Sequence, residues 1–257
     1  MPFKPIQPEK LSHGVVRQIE ELVLRGILRP GDRLPPEREL AERLGVSRPS
    51  LREALADLQS RNLVESRAGA GVYISDVIGS AFSPALVRLF ATHDEAVSDM
   101  VAFRRDIEGL AAERAARLGS DSDLAVIDAV FARMEAAQSK PSSNAEAEAG
   151  LDAEFHLAIV EASHNVVMLH MMRSIYDLLR EGVFYNRQVM FRQRTTRASV
   201  LEQHRAINDA LQARDPTAAR AAVAAHLDYV QSALSDQRQA DRHEEIAKRR
   251  LSRETAR

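Results

Sequence analysis

The chain has 257 residues, of which 45% are hydrophobic and 28% charged, and this length allows two domains that each bury a core. It contains no cysteine, which excludes disulfides, thiolate nucleophiles and cysteine-ligated zinc sites. Its net charge of -2 gives no overall sign of nucleic-acid binding, so basic residues must be judged by their positions.

No stretch of the sequence approaches the roughly 18 apolar residues that a membrane span needs. The first residues also lack the apolar core of a signal peptide. We therefore expect a cytoplasmic protein that has no membrane partner. Aromatic residues make up 5% of the chain, a low share that favours a mainly α fold.

The first 76 residues predict a small domain of helices followed by a β-hairpin. Apolar residues at helical spacing predict a first helix from about Ser12, its expected cap, to Arg25. Two prolines precede a second helix, which should end near Gly45. A third helix should begin after Ser47, whose side chain is suited to capping it. Apolar runs on both sides of a glycine-rich turn at residues 68–71 predict the hairpin.

Arg48 and Arg52 lie four residues apart in the predicted third helix, so their side chains share one face. An apolar stripe on another face consists of Leu51, Leu55 and Leu58. Two arginines alone would be ordinary solvated charges on an amphipathic helix. The glycine-containing turn before the helix and the glycine-rich hairpin after it instead indicate a recognition helix and a wing, the arrangement of a winged helix-turn-helix.

Two segments of this region, LPPERELA at 34–41 and VSRPSLREAL at 46–55, resemble the winged helix-turn-helix of the GntR family. In that family the residues matching Arg38, Arg48 and Arg52 contact DNA, and a wing glycine enters the minor groove. Asn62 stands where relatives often have glycine, and asparagine also tolerates a left-handed conformation. The resemblance implies double-stranded DNA as a partner and these contact residues: Arg38, Ser47, Arg48, Ser50, Arg52, Gly69 and Gly71.

The rest of the chain is expected to be helical. Residues 77–83 hold glycine and serine and predict a short linker. Apolar residues recur at helical spacing from residue 84 to about 235, which predicts an all-helical bundle. Lys140–Gly150 is polar and alanine-rich and predicts a loop that frays into the next helix. Residues 236–257 carry mixed charges with little apolar content, so disorder or a frayed helix is expected.

Four polar residues of the predicted bundle could meet at one metal ion. Asp152 and His156 lie four apart on one helix face, so a carboxylate oxygen and an imidazole nitrogen can converge. His204 and His226 fall on two later helices, which the Asp215-Pro216 break allows to lie antiparallel. Alternatively, each histidine is a packing residue of the bundle, and the spacing alone does not decide. The other histidines are expected in capping, surface or packing positions: His13, His93, His164, His170 and His243.

In their order along the chain, these four residues and the segment ASHN at 162–165 resemble the FCD domain, the ligand-binding half of FadR-type GntR regulators. Many members of that family bind a metal through the matching positions. The resemblance therefore implies that a divalent ion, zinc or nickel, is held by Asp152, His156, His204 and His226.

Arg104 precedes Glu108 by four residues and could form an ordinary ion pair within one helix. In the FCD pattern this arginine points into the ligand cavity, where a guanidinium can bind a carboxylate in a bidentate manner. The resemblance favours Arg104 over Arg105 as the effector-binding residue. A metal beside it could take a neighbouring hydroxyl or keto oxygen, so a 2-hydroxy or 2-oxo acid fits both partners.

Across nearly its whole length the chain is similar to the GntR regulators of pyruvate dehydrogenase and of lactate or glycolate use. The similarity rests on Phe82-Ser83, Ile107–Gly109, residues 162–167 and Arg187-Gln188. It implies a homodimer that binds a closely spaced inverted repeat of DNA. It also implies a repressor that lactate, pyruvate or glycolate releases from DNA.

Two other functions stay open at this point. Three imidazoles and a carboxylate could activate water in a metal-dependent, hydrolase-like enzyme. However, no unligated acid or base is clearly placed beside them, and a fused winged helix would then have no purpose. Alternatively, the bundle could serve only to dimerise a constitutive DNA-binding protein that responds to no effector.

Overall fold

A computed structural model describes residues 10–75, 81–139, 145–180 and 194–255. Within these residues the fold is mainly α, as the sequence predicts, and the chain divides into two compact units, Met1–Ala81 and Phe82–Arg257. Each unit has a hydrophobic core of its own. Asp76, most of the predicted linker and the pair Arg187-Gln188 lie outside the described residues. No helix in the described ranges is long and apolar enough to cross a membrane.

The first unit is a winged helix-turn-helix, which confirms the predicted fold of this region. Its elements are α1 (Leu11–Leu24), α2 (Glu37–Leu44), α3 (Arg48–Ser60), β1 (Val64–Arg67) and β2 (Gly71–Ile74). The two strands are antiparallel, with Val64 opposite Ile74. One face each of α1 and α3 supplies much of the core, in which Ile19, Leu51 and Leu58 are at most 3% exposed.

Local sequence signals place most of these boundaries. Gly45 ends α2 in the left-handed conformation, with φ of 65°, and Asn62 follows α3 with φ of 58°. The Ser47 side chain caps α3 by accepting a hydrogen bond from the backbone nitrogen of Ser50 at 3.3 Å. The predicted cap at Ser12 is wrong. The helix begins one residue earlier, so Ser12 lies in its first turn on the face that packs against the core.

The second unit is a helical bundle, also as predicted. Its described helices are α4 (Pro84–Thr92), α5 (Asp94–Leu118), α6 (Asp121–Gln138), α7 (Ala145–Ala162), α8 (Val166–Arg180), α9 (Arg194–Gln212) and α10 (Pro216–Thr255). Helix α10 packs along α5 and against α9, while α7 packs against α5, α6 and α8. The core between them includes Ile127, Phe155 and Ile207, all fully buried.

Polar caps mark the starts of the bundle helices. Ser120 and Asp123 form a reciprocal capping box at the start of α6. The side chain of Asn165 accepts hydrogen bonds from two backbone nitrogens of α8. Asp215 does the same for α10, and Pro216 is the first residue of that helix. The predicted break at Asp215-Pro216 is therefore confirmed, and it allows α9 and α10 to pack together.

Two segments are more helical than expected. Helix α7 begins at Ala145, inside the stretch predicted as a fraying loop. Helix α10 has 40 residues and continues to Thr255, although its side chains beyond Asp236 are largely exposed. This part contains no glycine or proline and pairs Glu244 with Lys248 at 3.5 Å one turn later. Helix propensity and such pairs can thus sustain a helix where apolar contacts are few.

Candidate metal centre and DNA-binding surface

Three helices of the second unit bring the four predicted metal ligands together. Asp152 and His156 lie on α7, His204 on α9 and His226 on α10. Each offers one ligand atom, and these atoms lie within 4.8 Å of one another. All four residues are at most 5% exposed. The structure therefore places them in one buried cluster.

The spacing of the ligand atoms fits a first-row metal ion. Nε2 of His204 lies 3.1 Å from Nε2 of His156 and 3.1 Å from Oδ1 of Asp152. Zinc binds imidazole nitrogen at about 2.0–2.1 Å, which separates two ligands by roughly 3.3–3.4 Å in a tetrahedral site and by about 2.9 Å at right angles. The two distances from His204 fall between these values, whereas Nε2 of His156 lies 3.9 Å from Oδ1 of Asp152, so the four side chains would draw closer around a bound ion. Imidazole and carboxylate are also donors that zinc and nickel accept.

Acceptor oxygens lie beside Nδ1 of two of the imidazoles. Nδ1 of His226 is hydrogen-bonded to Oε1 of Gln203 at 2.9 Å, whereas Nδ1 of His156 lies 2.8 Å from Oε2 of Glu108 in a close contact that lacks hydrogen-bond alignment. An acceptor beside Nδ1 favours the tautomer that keeps the proton there and leaves the lone pair of Nε2 for a metal. Sequence reasoning missed both roles, because Glu108 and Gln203 each act through a histidine on another helix.

Arg104 is buried beside this cluster. It is 2% exposed, its Nε donates to Oε1 of Glu108 at 2.6 Å, and its Nη2 donates to the hydroxyl of Tyr176 at 3.5 Å. The ion pair within one helix, which the sequence left as an alternative, is therefore present. It lies in the core, however, and Glu108 connects it to His156. Arg105 is exposed and pairs with a carboxylate of α10, so of the two arginines Arg104 is the one beside the cluster.

The charges around Glu108 fix its protonation state. Burial alone would raise the pKa of the Glu108 carboxyl, but the Arg104 guanidinium and the His156 imidazole outweigh it and hold that pKa well below its usual range. Burial, and then the Glu108 carboxylate, raise the pKa of Tyr176 well above its usual value. Glu108 therefore stays ionised and accepts a hydrogen bond from the Tyr176 hydroxyl at 2.7 Å.

The DNA-contacting residues implied by the sequence lie at the surface of the first unit. Nη2 of Arg48 is 3.8 Å and Nε of Arg52 is 2.8 Å from Oε2 of Glu37 on α2. The two side chains are 57% and 62% exposed, so this shared pairing is weak and a phosphate or base can replace it. The whole set is exposed except for Ser50, which is half-buried: Arg38, Ser47, Arg48, Ser50, Arg52, Gly69 and Gly71.

The wing depends on glycine at two positions. Gly69 and Gly71 have φ of 70° and 111°, which side chains rarely adopt. A Cβ at Gly71 would also lie 3.2 Å from Nε of Arg33. The guanidinium of Arg67 lies 4.4 Å from the centre of the Tyr73 ring on the neighbouring strand. Arg33 and Arg67 thus border the wing, and the sequence-based set contains neither.

The remaining histidines lie outside the cluster. Nε2 of His164 lies 3.1 Å from Oδ2 of Asp123, and its φ of 51° places it in the break between α7 and α8. His170 is half-buried, and three others are exposed: His13, His93 and His243. These positions agree with the capping, surface and packing roles that the sequence predicts.

Comparison with known proteins assigns both units. The sequence profile of the bacterial regulatory proteins of the gntR family matches residues 11–74, and that of the FCD domain matches residues 99–229. A solved structure titled Streptococcus agalactiae GntR has a TM-score of 0.53 and 28% identity, over 86% of this chain and 99% of its own. The fold and the sequence therefore agree on the same family.

Several curated relatives are regulators of transcription. A regulatory protein of Escherichia coli K12 named for the L-lactate dehydrogenase operon is 35% identical over 95% of this chain and 94% of its own length. The Glc operon transcriptional activator of the same strain is 34% identical over 86% and 88%. The regulator LutR of Bacillus subtilis is 32% identical over 83% and 96%. These families and relatives are transcriptional regulators and not enzymes, which removes the hydrolase-like alternative. The chain belongs to the GntR family of bacterial regulatory proteins and is a DNA-binding transcriptional regulator with an FCD domain.

Proposed function

We propose that this regulator responds to a small carboxylate, a 2-hydroxy or 2-oxo acid such as lactate, pyruvate or glycolate, bound at a metal-containing pocket of the helical domain. One observation carries the proposal. His156 of the metal-ligand cluster lies 2.8 Å from Glu108, and Glu108 pairs with the buried Arg104. A metal site and a guanidinium therefore occupy one buried region, and together they suit a carboxylate with an adjacent hydroxyl or keto oxygen.

A divalent ion, zinc or nickel, would be held by Asp152, His156, His204 and His226. When bound, it supplies a Lewis-acidic centre with coordination positions open to the oxygens of the acid. The chain's own contribution is to keep these side chains buried and to place an acceptor oxygen beside Nδ1 of two imidazoles. Arg104 would bind the carboxylate of the acid, and this contact would replace some of the hydrogen bonds that Arg104 now makes.

The relatives support this ligand class. One is named for the L-lactate dehydrogenase operon and another for the Glc operon. Their similarity to this chain covers most of its length and therefore includes the FCD domain. A short hydroxy acid or its keto counterpart is accordingly the effector that we propose to test first.

The DNA-binding half of the proposal assigns residues 1–76 to operator recognition. Arg48 and Arg52 would contact base edges in the major groove from α3, and Gly69 and Gly71 would let the wing approach the minor groove. Arg38, Ser47 and Ser50 would position the domain. Residues 84–235 would bind the effector and dimerise, with 77–83 as the linker and 236–257 as a charged tail.

A homodimer would place two winged helices on an inverted repeat, since two-fold symmetry supplies the second half-site. The effector would act by binding one arrangement of the dimer more tightly than another, because only differential affinity shifts such an equilibrium. We propose repression that the acid relieves.

The test is a pair of titrations on the full-length protein. Thermal denaturation is followed with L-lactate, D-lactate, glycolate and pyruvate, using zinc-loaded protein and protein stripped by a chelator. A ligand present at about 100 times its dissociation constant stabilises the folded state by roughly 2.7 kcal/mol. We expect at least one of these acids to raise the melting temperature of the zinc-loaded protein, and chelation to remove the effect.

Operator affinity is then measured with and without the stabilising acid at fixed salt, because salt alone changes DNA affinity strongly. A change in affinity supports the regulated protein that we propose. If no small acid alters either melting temperature or operator affinity, the proposal fails in favour of a constitutive DNA-binding protein.

A further inference from the structure

A small cavity adjoins the metal-ligand cluster. Its volume is about 20 Å³, room for about one water molecule and too little for L-lactate. Any acid that reaches the cluster along this side must therefore move part of the wall. The residues that line the cavity are Met134, Gln138, Glu148, Leu151, Arg197, Val200, Leu201 and His204.

We propose that the ion pair between Glu148 and Arg197 is the gate of the effector pocket: the incoming carboxylate takes the place of Glu148 on Arg197 before it moves on to the metal-ligand cluster and Arg104. This inference rests on the proposed function and names the residues that control access to its site. No feature of the sequence marks either residue. Glu148 falls in the stretch predicted as a loop, and Arg197 precedes the first apolar residue recognised in its helix.

The pair is close and largely buried. Nε of Arg197 donates to Oε2 of Glu148 at 2.6 Å, and Nη2 of Arg197 lies 2.5 Å from Oε1 of the same carboxylate. The side chains are 13% and 8% exposed. One charge-assisted hydrogen bond and a second close contact therefore join the two groups, and a guanidinium can bind the carboxylate of a small acid in the same way. An effector of this class therefore offers Arg197 the same contact that Glu148 now makes.

The pair also lies in register with the metal ligands. Glu148, Asp152 and His156 follow one another at four-residue intervals, so they share one face of α7. Arg197 precedes His204 by seven residues, or about two turns, so both share one face of α9. The cavity touches Glu148, Arg197 and His204. The ion pair and one residue of the cluster, His204, thus line the same cavity.

The rest of the wall is less suited to opening. Met134, Leu151, Val200 and Leu201 are apolar, and exposing them to water would lose hydrophobic contacts without a compensating partner. The ion pair differs, because the arriving carboxylate replaces the hydrogen bonds that are broken. Exchange at Arg197 is therefore the opening in which the buried guanidinium keeps a carboxylate as its partner.

A purely structural role for the pair has to be weighed against the gate. Nη2 of Arg197 also donates to the carbonyl oxygens of Ala137 and Gln138, at 3.3 and 3.1 Å, at the end of α6. Arg197 could therefore serve only to join α6, α7 and α9. The two roles predict different effects of substitution on acid binding. If the pair is structural, neutralising Glu148 and neutralising Arg197 have the same effect, because either change breaks the pair. If the pair is a gate that exchanges anions, the two changes have opposite effects.

The experiment measures the rates at which L-lactate, glycolate, pyruvate and acetate associate with zinc-loaded, full-length variants, by stopped-flow tyrosine fluorescence. Glu148→Gln leaves the guanidinium at the cavity without its competing carboxylate, so we expect association of these acids to be about tenfold faster. Arg197→Gln leaves the carboxylate alone, which repels an anion, so we expect association to be about tenfold slower. Melting temperatures, read in parallel, report how far each variant loses stability.

Glu135→Gln is the matched control. Glu135 pairs with Arg205 at 2.7 Å and so joins α6 to α9, as Arg197 does, but the two side chains of this pair are each 40% exposed and neither lines the cavity. We expect the association rates of the acids in this variant to stay within about twofold of those of the unaltered protein, since exposed pairs contribute little.

Each outcome decides the question. Opposite shifts in Glu148→Gln and Arg197→Gln, with no shift in the control, support the gate. Shifts in the same direction, or shifts no larger than in the control, overturn it and leave a structural pair. If neither the unaltered protein nor Glu148→Gln binds any of the acids, both the proposed function and the gate are refuted. If Glu148→Gln binds an acid and the unaltered protein does not, the gate is supported, but the function proposed for the unaltered protein fails.

Discussion

Oε2 of Glu108 lies 2.8 Å from Nδ1 of His156, and these two residues come from different helices of the bundle, α5 and α7. The contact gives one carboxylate two roles, because Glu108 also pairs with Arg104. A change at the guanidinium can therefore reach the imidazole through a single side chain. In a pocket where Arg104 binds an acid and His156 binds a metal, this contact would couple the two ligands.

Glu108→Gln should weaken metal binding. The amide can still fill the space, but it removes the negative charge that holds the proton of His156 on Nδ1 and strengthens Nε2 as a ligand. Loss of such a supporting carboxylate typically lowers metal affinity by about 10- to 100-fold. Competition with a chelator of known zinc affinity measures the change. Glu113→Gln, on the same helix and paired with Arg220, is the control and should bind zinc as the unaltered protein does.

Replacing both His204 and His226 with alanine should abolish stoichiometric metal. These residues lie on separate helices and supply half of the four-donor cluster, so no neighbouring side chain of the cluster can substitute for them. Elemental analysis of the purified protein gives the metal content. His164→Ala, at an exposed position outside the cluster, should keep its metal. A full complement of metal in the double variant would rule out the assigned ligands.

Arg104→Lys should weaken the binding of L-lactate far more than Arg105→Lys. Lysine keeps the charge of Arg104 but cannot form two parallel hydrogen bonds with a carboxylate. Hydrogen bonds to charged groups contribute about 1.5–3 kcal/mol, so the loss should be about tenfold or more. Arg105 is 42% exposed and pairs with Asp228, away from the cluster. Calorimetry on zinc-loaded protein compares the variants, and equal affinities would remove Arg104 from the site.

Asp123→Asn should reduce the acid sensitivity of the bundle. Partial burial opposes ionisation of Asp123, but hydrogen bonds from Ser120 and the nearby His164 outweigh it and lower its pKa. A carboxyl whose pKa is lower in the folded state stabilises that state above its unfolded pKa, about 3.9, and loses this effect as the pH falls. The stability gap between the two proteins should therefore shrink from about pH 6 to pH 3. Urea denaturation at each pH measures it, and a constant gap would contradict the prediction.

The sequence predicts the features that depend on local spacing. The helix faces of Arg48 with Arg52 and of Asp152 with His156 follow from residues four apart, and the fold class follows from periodicity along the chain. Adding His204 to the cluster required a resemblance to known domains, because nothing within its own helix indicates a partner 48 residues earlier.

The contacts that the sequence does not predict join distant helices. Glu108 with His156 and Glu148 with Arg197 depend on how α5, α7 and α9 pack, and each residue alone reads as a surface charge. Ser12 shows the same limit on a smaller scale. Serine is a residue type that favours the N-cap position, but Ser12 is buried on the core-facing side of α1, within the helix.

Arg52→Ala should weaken binding to a specific operator by about 1–3 kcal/mol, because a side chain that reads a base edge loses both hydrogen bonds and specificity when truncated. The present partner of Arg52 is the exposed carboxylate of Glu37, which DNA can displace at little cost. Arg25→Ala is the control. That residue, directly after α1, is also exposed and is paired with Glu21 at 2.9 Å, but it lies outside the recognition helix. Binding is measured at fixed salt against operator and unrelated DNA. If Arg52→Ala lowers both affinities equally, the residue contacts phosphate and does not read sequence.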